Sequence, residues 1–224
     1  MKNRKVCFIV CTNDDTYYNE CANYISRLIV PDGFEIDILE IRDAKSMTSG
    51  YNEAMNASDA SIKVYLHQDT FIVYPYFIEA IVKIFESDPQ IGMIGVVGAP
   101  KLPVDFVMWH SERIGTTYID EPIPEESIQS LREYRYELSQ GLFDVEAIDG
   151  LIMITSQDIP WRDDIITGWD FYDVSQTMEM KKAGFRTVVP TQLYPWCLHD
   201  SGILNFRNYE KYRAICENEY SDLI

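Results

Sequence analysis

The chain has 224 residues, 46% of them hydrophobic and 25% charged, enough for one globular domain with a substantial core. Its formal net charge is −17 and its pI is near 4.4, so nucleic acid and anionic lipid are disfavoured as partners. The same charge repels a nucleoside diphosphate, and a chain like this that binds one needs local cations, of which a metal ion is the most compact.

Met1 to Lys5 is basic and leads into apolar Val6-Cys7-Phe8-Ile9-Val10, but polar Thr12-Asn13-Asp14-Asp15 cuts this run off too early for a signal peptide. Val6 to Cys11 reads as a strand buried on both faces. Asp14 and Asp15 open a helical pattern carried by Tyr18, Cys21, Ile25 and Leu28 and ended by Pro31-Asp32-Gly33. Phe34 to Ile41 is a second strand. Ser46 to Asn56 is a helix with Tyr51, Ala54 and Met55 on one face. Ile62 to Leu66 is a third strand, stopping at His67-Gln68-Asp69. Phe77, Ile81, Ile84 and Phe85 mark a helix, and Ile91 to Val97 a fourth strand loosened by glycines.

From Pro100 to about Phe143 the chain departs from this rhythm. It holds Trp109, His110, Pro122, Pro124 and a charged helical stretch from Glu125 to Ser139, and reads either as a flap over a ligand or as a surface insertion. Val145 to Ile154 is apolar again. Asp170 to Lys182 is a helix, with Gly184 placed as its left-handed cap. Phe185 to Val189 is a further strand, and a polar, aromatic tail with a short helix follows His199, over about 203–224. No run approaches the roughly 18 apolar residues of a membrane span, and no integral membrane segment is expected. The five cysteines, Cys7, Cys11, Cys21, Cys197 and Cys216, form no CxxC pair, which fits reduced thiols in a cytoplasmic protein.

Alternating strands and helices predict a single α/β domain over 1–224, with a doubly wound, mostly parallel sheet and helices on both faces. Ligands of such sheets bind at the carboxyl ends of strands. Thr12-Asn13-Asp14, Arg42-Asp43 and His67-Gln68-Asp69 each follow a predicted strand and are expected along one edge. Asp69 there suits Mg²⁺ or Mn²⁺, which take oxygen ligands and leave positions open for phosphate; a turn or cap role is the plainer alternative. Asp170, between Trp169 and Phe171, reads as an N-cap or a general base. His67 and His199, two of only three histidines, stand beside aspartates at predicted strand ends, a pattern that suits a metal or phosphate site. Trp109, Trp161 and Trp169 can stack on sugar rings or fill a core.

Several segments resemble the GT-A glycosyltransferases of the family 2 type, closest to a bacterial branch of short stand-alone proteins. They are Phe8 to Asn13, Ser49 to Met55, Tyr65 to Asp69, Ile148-Asp149-Gly150, Gly168 to Asp173 and Trp196 to Asp200, and they span nearly the whole chain in the family's order. The resemblance implies an inverting, metal-dependent transfer of a sugar from a nucleotide-diphosphate donor, a UDP-sugar by the family's habit. The acceptor it implies is a hydroxyl on a glycan, a lipid-linked sugar or a protein. His67-Gln68-Asp69 takes the place of the Asp-x-Asp motif, so Asp69 is expected on the metal (Mn²⁺ or Mg²⁺) with His199 completing its shell. His67 departs from the motif's first aspartate, the ribose contact. Thr12, Asn13, Asp14, Asp43, Asn52, His67 and Gln68 are expected at the donor. Asp149 and Trp169 are expected at the acceptor, and Asp170 is the expected base.

Other classes fit less well. A sugar-phosphate nucleotidylyltransferase wants a glycine-rich, arginine-bearing loop after the first strand, and Cys11 to Asp15 has neither feature. A metallohydrolase wants a denser cluster of histidines and aspartates than Asp69, His199 and Asp200 provide. A dinucleotide enzyme wants a GxGxxG that is absent. A non-catalytic nucleotide-sugar or carbohydrate-binding module derived from a transferase stays open because of His67.

Overall fold

Strand β1 (Lys5–Cys11) alternates its side chains between two cores: Cys7, Ile9 and Cys11 enter one cluster, Val6, Phe8 and Val10 the other. That double burial is why the run is apolar at every position. The computed structural model describes residues 3–122, 129–135, 141–200 and 207–224. The elements after β1 are α1 (Asp15–Ser26), β2 (Glu35–Ile41), α2 (Met47–Ala57), β3 (Ile62–His67), β4 (Thr70–Ile72), α3 (Phe77–Ser87), β5 (Ile91–Gly95) and β6 (Val97–Ala99). Then come β7 (Ile114–Pro122), β8 (Gln129–Arg135), β9 (Leu142–Asp144), β10 (Ala147–Ile148), β11 (Ile152–Thr155), α4 (Tyr172–Lys182), β12 (Arg186–Pro190), β13 (Cys197–His199) and α5 (Tyr209–Tyr220).

The main sheet has seven strands in the order β2-β1-β3-β11-β5-β12-β9. β1 is parallel to both β2 and β3, and β12 is parallel to β5. β11 runs antiparallel between β3 and β5, so the sheet is mixed. Helices α1 and α3 cover one face through Cys21, Ile25, Phe77, Ile78 and Ile81. Helices α2, α4 and α5 cover the other through Tyr51, Met178, Tyr212 and Cys216. A second sheet is ordered β10-β6-β7-β13-β4, with β8 on β7.

The structure departs from the sequence reading at three places. The stretch Glu125 to Ser139, expected to be a charged helix, contains β8, paired antiparallel along β7; pairing with a neighbouring strand overrides the local preference. Its residues 125–128 and 136–139 lie outside the described residues. The strand expected from Ile91 to Val97 divides at Val96 into β5 and β6, which join different sheets. The helix expected from Asp170 begins at Tyr172, and its N-cap is Phe171 in the left-handed region at φ 60°. Asp170 therefore does not cap it. Gly184 closes the same helix at φ +83° as expected, with Phe185 N donating to Met180 O and Gly184 N to Lys181 O. Among the described residues no helix is long and apolar enough to cross a membrane, and all five cysteines are buried and free.

Candidate functional site at the strand ends

The carboxyl ends of β1, β2 and β3 open into a cavity of about 560 Å³ lined by Cys11, Thr12, Asn13, Ile41, Asp43, Ala44, Met47, His67, Gln68, Asp69 and Trp169. Parallel strands aim their ends the same way, so three loops distant in sequence meet there. Gln68 ties two of them together. Its Oε1 accepts from Thr12 Oγ1 at 2.6 Å, Asn13 N at 3.0 Å and Asp14 N at 3.2 Å, while its Nε2 donates to Asn13 Oδ1 at 2.9 Å. Asp14 turns away to cap α1, its Oδ1 accepting from Thr16 N and Tyr17 N. Asp43 lines the cavity in the left-handed region at φ 55°, a strained conformation for an aspartate.

His67 and Asp69 flank the turn between β3 and β4. His199 reaches them because β13 pairs antiparallel with β4, placing His199 opposite Thr70 and letting Asp200 N donate to Asp69 O at 2.9 Å. Ligand atoms of His67, Asp69 and His199 all lie within 4.8 Å of one another. Asp69 Oδ1 stands 3.5 Å from His199 Nε2 and 3.8 Å from His67 Nδ1, yet it is buried and accepts no hydrogen bond. A buried carboxylate oxygen without a donor is costly in a finished protein and fits an ion ligand. Burial pushes the His67 imidazole down, against the Asp69 charge. Burial opposes the charge of His199 too, but the neighbouring Asp69 carboxylate outweighs it and raises the group. Burial works against the Asp69 carboxylate as well; the two histidines win and hold it below the usual range.

An acidic pair, Asp149 and Asp173, lies close by. Asp149 Oδ1 accepts from Leu151 N at 3.0 Å, and its charge acts on both imidazoles. Asp173 accepts from Gly150 N at 3.1 Å and from Val174 N at 2.8 Å. Burial, then the Asp149 charge, pushes its carboxyl up to about 7.

The loop before α4 is held from two sides. Met47 N donates to Gly168 O at 3.0 Å and Thr48 Oγ1 to Ile166 O at 2.5 Å. On the other side Tyr212 packs so close to Gly168 that a Cβ would come within 2.5 Å of its ring. This presents Trp169, 52% exposed, to the cavity. Asp170 beside it is partly buried, and burial alone raises its carboxyl. Asp170 is not among the residues lining the cavity. Neither is Asn52, whose side-chain amide is spent on Trp161, donating to its O at 2.8 Å and accepting from its N at 2.9 Å. Trp161 is buried in the core, whereas Trp109 is exposed under Arg113.

Sequence reasoning passed over Tyr172, whose hydroxyl is hydrogen-bonded to His67 Nε2, and gave Asp173 no role although both lie in the Gly168–Asp173 segment. A tyrosine in a first helical turn carries no local signal that a distant histidine will meet it. It also missed the apolar wall formed by Ile41, Ala44 and Met47.

Residues 7–220 match the family described as glycosyltransferase like. No curated protein matches the chain. Among solved structures, the mannosyltransferase PcManGT from Pyrobaculum calidifontis, in complex with GDP-Man and Mn²⁺, superposes with a TM-score of 0.58 at 12% identity, covering 97% of this chain and 70% of that one. S. aureus TarS 1-349 in complex with UDP gives 0.54 at 9% identity, covering 98% of this chain and 65% of that one. Another S. aureus TarS structure gives 0.51 at 11% identity, covering 95% of this chain and 39% of that one. The chain thus spans less than two thirds of either TarS chain. These are GT-A glycosyltransferases, and the fold here is theirs. The chain belongs to the glycosyltransferase-like family.

Proposed function

We propose that this member of the glycosyltransferase-like family moves a sugar, as a hexosyltransferase, from a nucleotide-diphosphate donor to an acceptor hydroxyl with inversion at the anomeric carbon. The cavity at the ends of β1, β2 and β3, with His67 and Asp69 in its wall and His199 beside Asp69, carries this reading. Its volume of about 560 Å³ suits a small-molecule ligand. Thr12, Asn13, Asp43 and Gln68 receive the nucleoside, and the GDP-Man and UDP in the structural neighbours support a nucleotide donor. We assign a uridine nucleotide, with a glycan, lipid-linked or protein acceptor. The buried free thiols accord with the cytoplasm as its compartment.

Asp69 and His199 would hold a divalent ion, Mn²⁺ or Mg²⁺; the unpartnered Asp69 oxygen fits that role. Bound there, the ion supplies charge stabilisation to the leaving diphosphate. Trp169 and Asp149 receive the acceptor. Asp170 takes the acceptor proton as its oxygen attacks the anomeric carbon. Its carboxyl, raised by burial without a compensating cation, holds a proton better than an ordinary aspartate, and such a base contributes about 10²- to 10⁴-fold. Asp170→Asn should abolish turnover while keeping donor affinity, and undiminished transfer by that variant removes Asp170 from the base role.

Calorimetric titration of UDP, GDP, CDP and dTDP, with Mn²⁺ and again with EDTA, tests the donor site. Tight binding of one nucleotide that EDTA removes is expected. No binding under either condition overturns the assignment. Binding without turnover across an acceptor screen returns the chain to a nucleotide-sugar-binding module.

A further inference from the structure

His67 stands where the resemblance expects an aspartate reading the ribose, yet its surroundings are those of a metal ligand. Its Nε2 is taken by the Tyr172 hydroxyl. Its Nδ1 faces Asp69 Oδ1 at 3.8 Å, across the same oxygen that His199 Nε2 approaches at 3.5 Å. The two imidazole centroids are 5.7 Å apart. A ligating histidine commonly donates its remote N–H to a fixed acceptor, which sets the tautomer and the ring angle. In the tautomer that donates Nε2–H to the tyrosine oxygen, the Nδ1 lone pair is left for the metal.

Tyr172 is built to hold that position. It is buried, and its ring lies 6.0 Å from Tyr51 and 6.4 Å from Trp161, which themselves pack at 4.8 Å. Gly150 leaves room for the hydroxyl: a Cβ there would come within 2.1 Å of it.

We propose that His67 is a third metal ligand through Nδ1, positioned by Tyr172, and that the resulting set of two imidazoles and one carboxylate selects a first-row transition ion such as Mn²⁺ over Mg²⁺. This rests on the metal-site reading above and deepens it. Mg²⁺ is hard, prefers oxygen ligands and surrenders its waters reluctantly. Imidazole nitrogen favours first-row transition ions, Mn²⁺ the least strongly among them, and two imidazoles with one carboxylate leave open positions for substrate oxygens. Asp149, whose charge reaches both rings, adds attraction for any cation without choosing between them.

The test is titration of the full chain with Mn²⁺ alone, following loss of the free-ion EPR signal, then competition with Mg²⁺. Pulsed EPR of the bound ion counts coordinated nitrogens. The proposal expects two nitrogen couplings, and Mn²⁺ retained against an excess of Mg²⁺ on the order of 10²-fold. His67→Asn should lose one coupling. His67→Asp should bring Mg²⁺ and Mn²⁺ affinities together. Tyr172→Phe should weaken Mn²⁺ binding by about 10- to 100-fold, as for other outer-shell partners, with circular dichroism confirming the fold of each variant. One nitrogen in the native protein, or Mn²⁺ affinity unchanged in His67→Asn while Asp69→Asn abolishes it, overturns the proposal and leaves the Asp69–His199 site standing. No Mn²⁺ binding by the native protein sinks both.

Discussion

Gly150 and Tyr172 occupy one space: the tyrosine hydroxyl sits where a Cβ on residue 150 would lie, 2.1 Å from it. The glycine is therefore a packing requirement rather than a flexible point. Gly150→Ala must displace Tyr172, and an overpacked core costs about 1–3 kcal/mol. Urea denaturation should show a loss of that size, and Mn²⁺ affinity should fall with it because the His67 contact moves. Unchanged stability would mean the helix start at Phe171 shifts freely.

Gln68 joins the loops after β1 and β3 through a single carbonyl oxygen that accepts from Thr12, Asn13 and Asp14. Gln68→Ala should cost about 0.5–1.5 kcal/mol in stability and weaken nucleotide binding several-fold. Gln68→Glu keeps the acceptor but adds a negative charge at the proposed nucleotide site. It should restore stability without restoring affinity, and calorimetry separates the two.

Trp169 is more than half exposed, yet it stands on a backbone pinned by Met47, Thr48 and Tyr212. A rigidly held, exposed aromatic suits stacking, worth about 0.5–1.5 kcal/mol. Trp169→Ala should raise the acceptor KM up to about tenfold, and Trp169→Phe should recover most of it. Donor affinity measured in parallel assigns the residue: a weaker nucleotide with an unchanged acceptor KM moves Trp169 to the donor side.

Asp173 links stability to pH with an inverted sign. Its folded carboxyl is raised from 3.8 to about 7, so between those values the unfolded chain ionises while the native carboxyl keeps its proton. The native state then binds more protons, and stability falls as pH rises through this window. Above about 7 the penalty is complete and constant. Asp173→Asn should flatten the loss between pH 4 and 7, seen in urea midpoints across that range. A native profile that rises over the window and is unaltered by the substitution would contradict the raised carboxyl.

Much of this was legible in the residues. Val6 to Cys11 announced a doubly buried strand because every position is apolar. Asp14 and Ser46 stand at the helix starts where side chains cap free amides. Since parallel strands share a direction, the polar triplets after β1, β2 and β3 had to meet at one edge. The reading failed where local pattern and tertiary pairing disagree, as in β8, whose partner β7 holds it extended.

By itself the sequence determined the alternating α/β order, the edge at which the cavity opens, and the place of Asp69 on it, because all three follow from local burial pattern and strand direction. The family resemblance paired His199 with Asp69, but only the tertiary structure decided that Tyr172 holds His67 and that Asn52 serves Trp161 instead of the cavity. Those contacts are made by short strands and helix starts from distant parts of the chain. Their geometry is set by the pairing of β13 with β4 and the packing of α4, and no periodicity near any one of these residues encodes it.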